Sequence, residues 1–169
     1  AVDKKGDIII ASSNDHSIYK AGLDQSFEEY IDGIVYNREL INPSGIDVGT
    51  DGKVYVSDKD NNRIFAKEKN KYKNIIDSNS GFKSPSALRA LKNGSIVAVC
   101  DDGQSVKRVS SNGSISTLLE TGIVSGMTDI AVYQNSDIYI VSPYENKVLK
   151  ILSSDKVELI AGADKDKGL

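Results

Sequence analysis

A spacing of 42 residues recurs along this chain and limits its possible folds more than any other feature. The segment 46–64 reads IDVGTDGKVYVSDKDNNRI, and a shift of 42 residues brings it onto 88–106, LRALKNGSIVAVCDDGQSV. A second shift of 42 residues reaches 130–148, IAVYQNSDIYIVSPYENKV, and a shift of 46 in the other direction reaches the N-terminal residues. The chain therefore contains four copies of one unit, and a period of this length indicates a repeat architecture.

Each copy is predicted to form four antiparallel strands. The dipeptides Asp51-Gly52, Asn93-Gly94 and Asn112-Gly113 accept positive φ and close tight hairpins. The second strand of each copy reads IIIA, VYVS, IVAV or IYIV, and such continuous apolar runs are typical of strands covered on both faces. Four-stranded sheets that are each covered by their neighbours indicate blades arranged around an axis. We therefore expect an all-β fold, a β-propeller of four-stranded antiparallel blades with about four blades in this chain, at 1–42, 43–84, 85–126 and 127–169.

The alignment of the four copies also predicts the core. Residues at matching positions of the second strands should be buried between successive blades, because each blade covers the face of the next. This predicted core consists of Ile8, Ile10, Val54, Val56, Ile96, Ala98, Ile138 and Ile140.

Composition excludes several classes of function. The longest apolar runs have four or five residues, whereas crossing a bilayer takes roughly 20. A net charge of −3 and a pI near 5.2 oppose non-specific binding to nucleic acid or anionic lipid. The single Cys100 cannot form an intramolecular disulfide, and the single His16 cannot build a multi-histidine metal site. We expect no nucleic-acid partner, no membrane partner and no cofactor.

One copy carries a recognisable motif. The run from Pro43 to Asp58, PSGIDVGTDGKVYVSD, is followed by Asn61-Asn62-Arg63-Ile64, and together they resemble the NHL repeat of NHL-type β-propellers. The resemblance extends over the whole chain and to the wider set of six-bladed propellers that are virginiamycin B lyase-like, gluconolactonase-like or peptide-amidating lyase-like. It implies a bacterial protein in an extracellular or cell-envelope setting, while the scarcity of cysteine is equally compatible with the cytoplasm. In the other copies Ser12, Cys100 and Ser142 stand in place of Asp58, and Ser17, Ser105 and Lys147 in place of Arg63.

The number of copies raises the question of closure. NHL-like propellers usually have six blades, Ala1 already lies inside a first strand that lacks the Pro-Gly-Ile opening, and the last residues, AGADKDKGL, resemble a linker into a further blade. We therefore expect an open arc from a larger propeller, which pairs with itself or with further blades through its terminal sheet faces. A closed four-bladed ring and closure by a second chain are the alternatives.

The loops between the second and third strands, with the connections between blades, are predicted to form a ligand-binding rim. Exposed tyrosines on such a rim suit a protein, peptide or glycan ligand. We expect a non-catalytic binding propeller, and the alternative is a metal-dependent lactonase or lyase with an axial site, for which Asp47, Asp129 and Asn135 are available as ligands. The rim candidates are His16, Tyr36, Asp60, Asn62, Asp101, Asp102, Tyr144 and Glu145.

Three other features are given structural interpretations. The loop at 58–62 begins like a calcium loop, but Arg63 and Lys69 stand where such a loop needs Gly and Glu, so Asp58 and Asn62 are expected to bind backbone groups in a turn. Cys100 is expected to be a small, partly buried residue. The alternating lysines at 67, 69, 71 and 73 are interpreted as a solvated outer edge.

Overall fold

Antiparallel β-strands and the turns and loops that join them make up the computed structural model, which describes residues 1–31, 34–35, 38–133 and 137–162. Within these residues no helix has the length and apolar character needed to span a membrane.

Blade 1 contains β1 (Ile8–Ser12), β2 (Ser17–Ala21) and β3 (Phe27–Ile31), and a short hairpin of β4 (Ile34–Val35) and β5 (Arg38–Glu39) follows it. Blade 2 contains β6 (Pro43–Val48), β7 (Val54–Asp58), β8 (Arg63–Glu68) and β9 (Lys71–Ile76). Blade 3 contains β10 (Leu88–Ala90), β11 (Ile96–Cys100), β12 (Ser105–Val109) and β13 (Ile115–Leu119), and blade 4 contains β14 (Asp129–Tyr133), β15 (Asp137–Ser142), β16 (Lys147–Ile151) and β17 (Val157–Ala161).

The predicted all-β propeller architecture is confirmed, with one correction in blade 1. Blades 2, 3 and 4 each have four strands in sequential order, whereas blade 1 has three. Its predicted first strand is reduced to a single bridge between Val2 and Ile8. The reason is a tight turn, in which the Asp3 carboxylate accepts hydrogen bonds from the backbone N–H groups of Lys5 and Asp7 at 2.8 and 3.0 Å.

The core consists of three apolar clusters, each between two consecutive blades. Ile9 and Val56 belong to the cluster between blades 1 and 2, and Ile96 and Ala98 belong to the cluster between blades 2 and 3. Ile138 and Ile140 lie in the cluster between blades 3 and 4. Side chains alternate along each second strand, so one strand contributes to the clusters on both of its sides.

Two members of the predicted core, Ile8 and Ile10, are not buried. Their side chains are 49% and 39% exposed, whereas Ile9 between them is 2% exposed. The aligned positions in blades 2, 3 and 4 all face the preceding blade. Blade 1 is the first blade that the structure describes, and no described blade covers the same positions there.

The four blades form an open arc in the part of the chain that the structure describes. None of the three core clusters joins blade 4 to blade 1. Blade 1 leaves Ile8, Ile10 and Phe27 exposed, and blade 4 leaves Val141 and Leu159 exposed. A closed four-bladed ring would cover the faces on which Ile8, Ile10 and Val141 lie.

Lys67 corrects the prediction of a uniformly solvated lysine edge. Lys69, Lys71 and Lys73 are exposed as expected, but Lys67 is buried. Its ammonium lies 3.9 Å from the ring centroid of Tyr30 in blade 1, in the geometry of a cation–π contact. The lysine therefore helps to hold blade 2 against blade 1.

Candidate functional site

The loops that join second and third strands lie on one face of the arc, together with the segments that connect the blades. We call the loops at 13–16, 59–62, 101–104 and 143–146 the rim loops, and the face that they form the rim face. The rim loops of blades 1, 2 and 3 are each tied to the segment that leads into the next blade, and the rim loop of blade 4 is tied to the segment that enters blade 4. Blade 3 illustrates this, because the Met127 backbone N–H donates to the Gly103 carbonyl oxygen at 2.9 Å. The rim is thus a set of anchored loops rather than free ones.

His16 and Asn62 occupy the same position of the repeat and play similar roles. Both have left-handed backbone, with φ of 55° and 51°, a conformation that Asn tolerates better than most residues. His16 Nδ1 lies 2.5 Å from the carbonyl oxygen of Ile41. Asn62 accepts a hydrogen bond from the Ser84 backbone N–H at 2.7 Å. The predicted backbone-binding role of Asn62 is therefore present, and it joins the loop to the next connecting segment.

The three candidate aspartates of the rim have different environments. Asp60 accepts a hydrogen bond from the Asn42 side-chain amide at 3.4 Å. Asp102 forms an ion pair with Lys59 at 3.1 Å, which bridges the rim loops of blades 2 and 3. Asp101 accepts hydrogen bonds from the Ser105 hydroxyl and, at 3.0 Å, from the Lys107 ammonium. Burial opposes ionisation of Asp101, but these two donors outweigh it and hold the pKa of its carboxyl below the usual value.

Glu145 and Tyr144 are neighbours in the rim loop of blade 4, but their side chains differ in what they contact. The Glu145 carboxylate accepts hydrogen bonds from the Ser125 backbone N–H at 2.7 Å and hydroxyl at 3.0 Å, and it pairs with Lys147 at 3.1 Å. The Ser125 and Lys147 donors hold the pKa of Glu145 below its usual value. Tyr144 is 76% exposed. Tyr36 lies outside the described residues.

Sequence reasoning did not find the ion pair that organises the rim of blade 2. Asp58 Oδ2 accepts hydrogen bonds from Arg63 Nε at 2.8 Å and from the Asn61 amide at 2.7 Å. Asp58 Oδ1 accepts from the backbone N–H groups of Ile41 and Asn42 at 3.0 and 3.3 Å, so this residue binds backbone groups as predicted, but those of the segment entering blade 2 rather than of its own turn. The signal for the pair was present in the spacing of the Asp and Arg within the motif.

Arg63 also anchors the hairpin that enters blade 2. Its Nη1 donates to the Val35 carbonyl oxygen at 3.1 Å, and its Nη2 donates to the Glu39 carbonyl oxygen at 3.4 Å. In blade 4 the Glu145–Lys147 pair has the equivalent function, because Lys147 stands at the position of Arg63 and Glu145 binds the connecting segment. Ser142, at the position of Asp58, donates to the Ser125 carbonyl oxygen at 2.6 Å.

Asp47 and Asp129, two of the candidate ligands for an axial metal, already bind groups of the protein itself. Asp47 accepts the Ala90 backbone N–H at 2.8 Å, and Asp129 pairs with Arg89 at 3.3 Å. Asn135, the third axial candidate, lies outside the described residues. Among the residues that are described, no cluster of three or more His, Cys, Asp or Glu side chains is arranged to hold a metal ion.

Cys100 is fully buried in the cluster between blades 2 and 3, deeper than the partial burial that the sequence suggested. Burial raises the pKa of its thiol far above the usual value. The sulfur is therefore protonated at neutral pH and packs as a small apolar group.

These features define the protein as a β-propeller. Residues 40–66, which include the Asp58–Arg63 pair, match the NHL repeat family. The fold of the chain is thus a β-propeller with an NHL repeat at residues 40–66. No curated protein sequence is significantly similar to it.

Solved structures of similar fold include enzymes and binding proteins. A catalytically inactive virginiamycin B lyase from Staphylococcus aureus with quinupristin superposes with a TM-score of 0.79 at 17% identity, over 98% of this chain and 55% of that one. A chain of a nidogen/laminin complex gives a TM-score of 0.72 at 16% identity, over 89% of this chain and 57% of that one. An auxiliary nutrient binding protein from Bacteroides ovatus gives a TM-score of 0.73 at 10% identity, over 99% of this chain and 42% of that one. The chain therefore spans about half the length of the structures it resembles.

Proposed function

We propose that this protein is a non-catalytic binding propeller whose rim face holds a protein or peptide ligand, with Tyr144 as the main apolar contact. The observation that carries the proposal is the exposure of Tyr144, which is 76% exposed on an anchored loop. A tyrosine side chain has only two rotatable χ angles and therefore loses little conformational entropy when a partner covers it, and it combines apolar area with a hydroxyl.

The surroundings of Tyr144 support its role as a fixed contact. Glu145, the next residue, is held by Ser125 and Lys147. Gly126 lies directly beside the Tyr144 side chain, because a Cβ at that glycine would fall 2.4 Å from the Tyr144 Cβ. The tyrosine therefore rests against the connecting segment while its ring faces outwards.

The charges of the rim also favour a binding role. Lys59 pairs with Asp102, Lys107 with Asp101 and Lys147 with Glu145. Each of these side chains has an opposite charge beside it, so this part of the rim carries no strong field of one sign that would select a nucleic acid. A protein or peptide offers apolar side chains and backbone hydrogen-bonding groups, and therefore matches this surface better than a glycan does.

A phage-displayed random peptide library, selected against the immobilised chain, tests the proposal. Peptides enriched on the wild-type protein are expected to lose binding to Tyr144→Ala, because truncation of a central aromatic contact costs more than about 1 kcal/mol. Tyr133→Ala is the matched control, since Tyr133 is also exposed but lies at the end of β14 and outside the rim loops. Failure to enrich any peptide, or equal binding to the wild-type and Tyr144→Ala proteins, would contradict the proposal.

The alternative is a metal-dependent lactonase or lyase with an axial site. The fold shared with virginiamycin B lyase is what favours it. The existing partners of Asp47 and Asp129 support the binding role instead, because a metal would have to displace Ala90 N–H and Arg89 from them. Elemental analysis of the purified protein separates the two candidates: near-stoichiometric calcium or zinc would favour the enzyme.

A further inference from the structure

A cleft of about 390 Å³ lies between blades 2 and 3, on the face opposite the rim. Its location follows from strand direction, because β7 runs from the turn at 49–53 to the rim loop at 59–62. Blade 2 contributes this turn and the outer strand β9, and blade 3 contributes the turn at Gly94 and the hairpin at 110–113. Pockets for small ligands have volumes of about 300 to 1,000 Å³, so the cleft has room for one.

The inner part of the cleft is apolar and rigid. Ile96 and Val109 line it from blade 3, and both are buried members of the cluster between the two blades. Ile75 on β9 completes the apolar surface from the other side. These residues belong to packed strands, so the cleft is formed before any ligand arrives.

The one carboxylate in the lining is already compensated by the protein. Asp51 accepts hydrogen bonds from the Lys53 ammonium at 2.8 Å and from the Tyr55 hydroxyl at 3.0 Å. Burial and the neighbouring Asp51 raise the pKa of Tyr55 to about 12, so its hydroxyl remains a donor to Asp51 at neutral pH. Asp51 and Lys53 together therefore present a neutral pair to the cleft, with Lys73 standing exposed on β9.

The other polar groups in the lining are hydroxyls and amides. Ser110, Ser111 and Asn74 provide groups that both donate and accept hydrogen bonds. Asn112 uses its Oδ1 to accept from the Ser114 N–H and hydroxyl at 2.9 and 2.8 Å, which leaves its amide N–H groups available as donors. Sugar hydroxyls also donate and accept, and the C–H face of a sugar ring matches an apolar surface.

We propose that this cleft binds a neutral sugar of one or two rings, separately from the ligand of the rim face. The hydroxyl and amide groups would hydrogen-bond the sugar hydroxyls, while Ile75, Ile96 and Val109 would contact its C–H face. A compensated Asp51–Lys53 pair suits an uncharged ligand, because burying a net charge without a partner costs several kcal/mol.

Titration of ¹⁵N-labelled chain with D-glucose, D-galactose, N-acetylglucosamine and lactose, followed by NMR, tests the proposal. At least one of these sugars is expected to shift the backbone signals of Asn74, Gly94 and residues 110–113, with a Kd on the order of 1 mM. Asn74→Ala is expected to weaken binding by about tenfold, the effect of one lost hydrogen bond. Ser111→Trp should abolish binding by filling the cleft. Ser153→Trp is its matched control, because Ser153 holds the same repeat position in the last hairpin of blade 4 and is exposed.

Several results would overturn the proposal. One is the absence of shifts with all four neutral sugars, and another is a set of shifts confined to the rim loops. Full affinity in Ser111→Trp would place the ligand elsewhere. Binding of D-galacturonate or inorganic phosphate without any neutral sugar would show an anion site around Lys73 instead. Because Tyr144 lies on the opposite face, Tyr144→Ala should leave sugar binding unchanged, so the two proposed sites fail or succeed independently.

Discussion

The Asp58 carboxylate and the Arg63 guanidinium form an ion pair inside blade 2, with Oδ2 lying 2.8 Å from both Nε and Nη2. The two side chains are 0% and 2% exposed. Arg63 also reaches Val35 and Glu39, and Asp58 also reaches Ile41, so the pair connects two strand ends to the segment entering the blade. Each charge has lost its water and depends on the other for compensation.

Removal of one partner from this pair should destabilise the fold strongly. Arg63→Ala is expected to lower the free energy of unfolding by roughly 3–5 kcal/mol, because it leaves the buried Asp58 charge without compensation. Arg89→Ala is the control, since it breaks the more exposed pair with Asp129 and should cost about 1 kcal/mol or less. Urea unfolding measures the loss of unfolding free energy in each of the two variants. Equal losses in the two variants would mean that the buried pair is not required for the fold.

The hairpin turns provide a test of backbone geometry. Gly52 and Gly94 have φ of 81° and 79°, as their Asp-Gly and Asn-Gly sequences predicted. Replacement of either by Ala should cost about 1 kcal/mol or more, because a Cβ is strained in this conformation. Nothing lies within 4 Å of a Cβ placed at Gly52, so the loss there would come from the backbone alone. Lys71→Ala on exposed β9 is the control, and unchanged melting of both glycine variants would show that the turns tolerate a side chain.

A matched pair of substitutions tests the stacking of the blades. Val56 and Ile10 hold the same position of the repeat, but Val56 is fully buried and Ile10 is 39% exposed. Val56→Asp should prevent folding, because an unpaired charge between two sheets costs several kcal/mol. Ile10→Asp should fold with nearly wild-type stability. Circular dichroism and thermal melting compare the two, and a cooperatively folded Val56→Asp protein would refute the stacked arrangement.

The open ends of the arc predict association of the isolated chain. Burial of apolar surface is favourable at roughly 25 cal/mol per Å², and a solution of this chain alone offers only other copies as partners. Light scattering is therefore expected to give a mass above the 18.3 kDa of one chain. Ile10→Asp and Val141→Asp, one at each end, should shift the protein towards the monomer. A dilute monomer that binds no hydrophobic dye would contradict this prediction.

Acid should weaken the rim of blade 4 through Glu145. Hydrogen bonds from Ser125 and the pairing with Lys147 hold the pKa of Glu145 below its ordinary value of 4.5. Because the pKa is lower in the folded state, the contribution to stability is complete above the unfolded-state pKa and is lost as pH falls through the folded-state pKa. Wild type should therefore exceed Glu145→Gln in unfolding free energy at neutral pH, and the difference should shrink at acidic pH. The same difference at pH 7 and at pH about 3 would contradict this.

The repeat and its turns could be predicted from the sequence because they depend on local chemistry. The 42-residue period, the Gly52 and Gly94 turns and the apolar second strands are set by residues close to one another in the chain. The rim positions of His16 and Asn62 followed from the same alignment. The contacts that engage His16 and Glu145 did not, because Ile41 and Ser125 are brought to them only when the connecting segments fold against the rim.

The number of repeats, the strands and the turns can be derived from the sequence, since they follow from periodicity and backbone preference. Which face of each strand is covered depends instead on how the blades pack against one another. Ile10 and Val56 belong to the same pattern, yet one is exposed and the other is buried. The cleft between blades 2 and 3 likewise combines turns and strands from different copies. Burial and pocket formation depend on which blade lies beside a residue, and that neighbour is specified by packing across the fold rather than by the adjacent sequence.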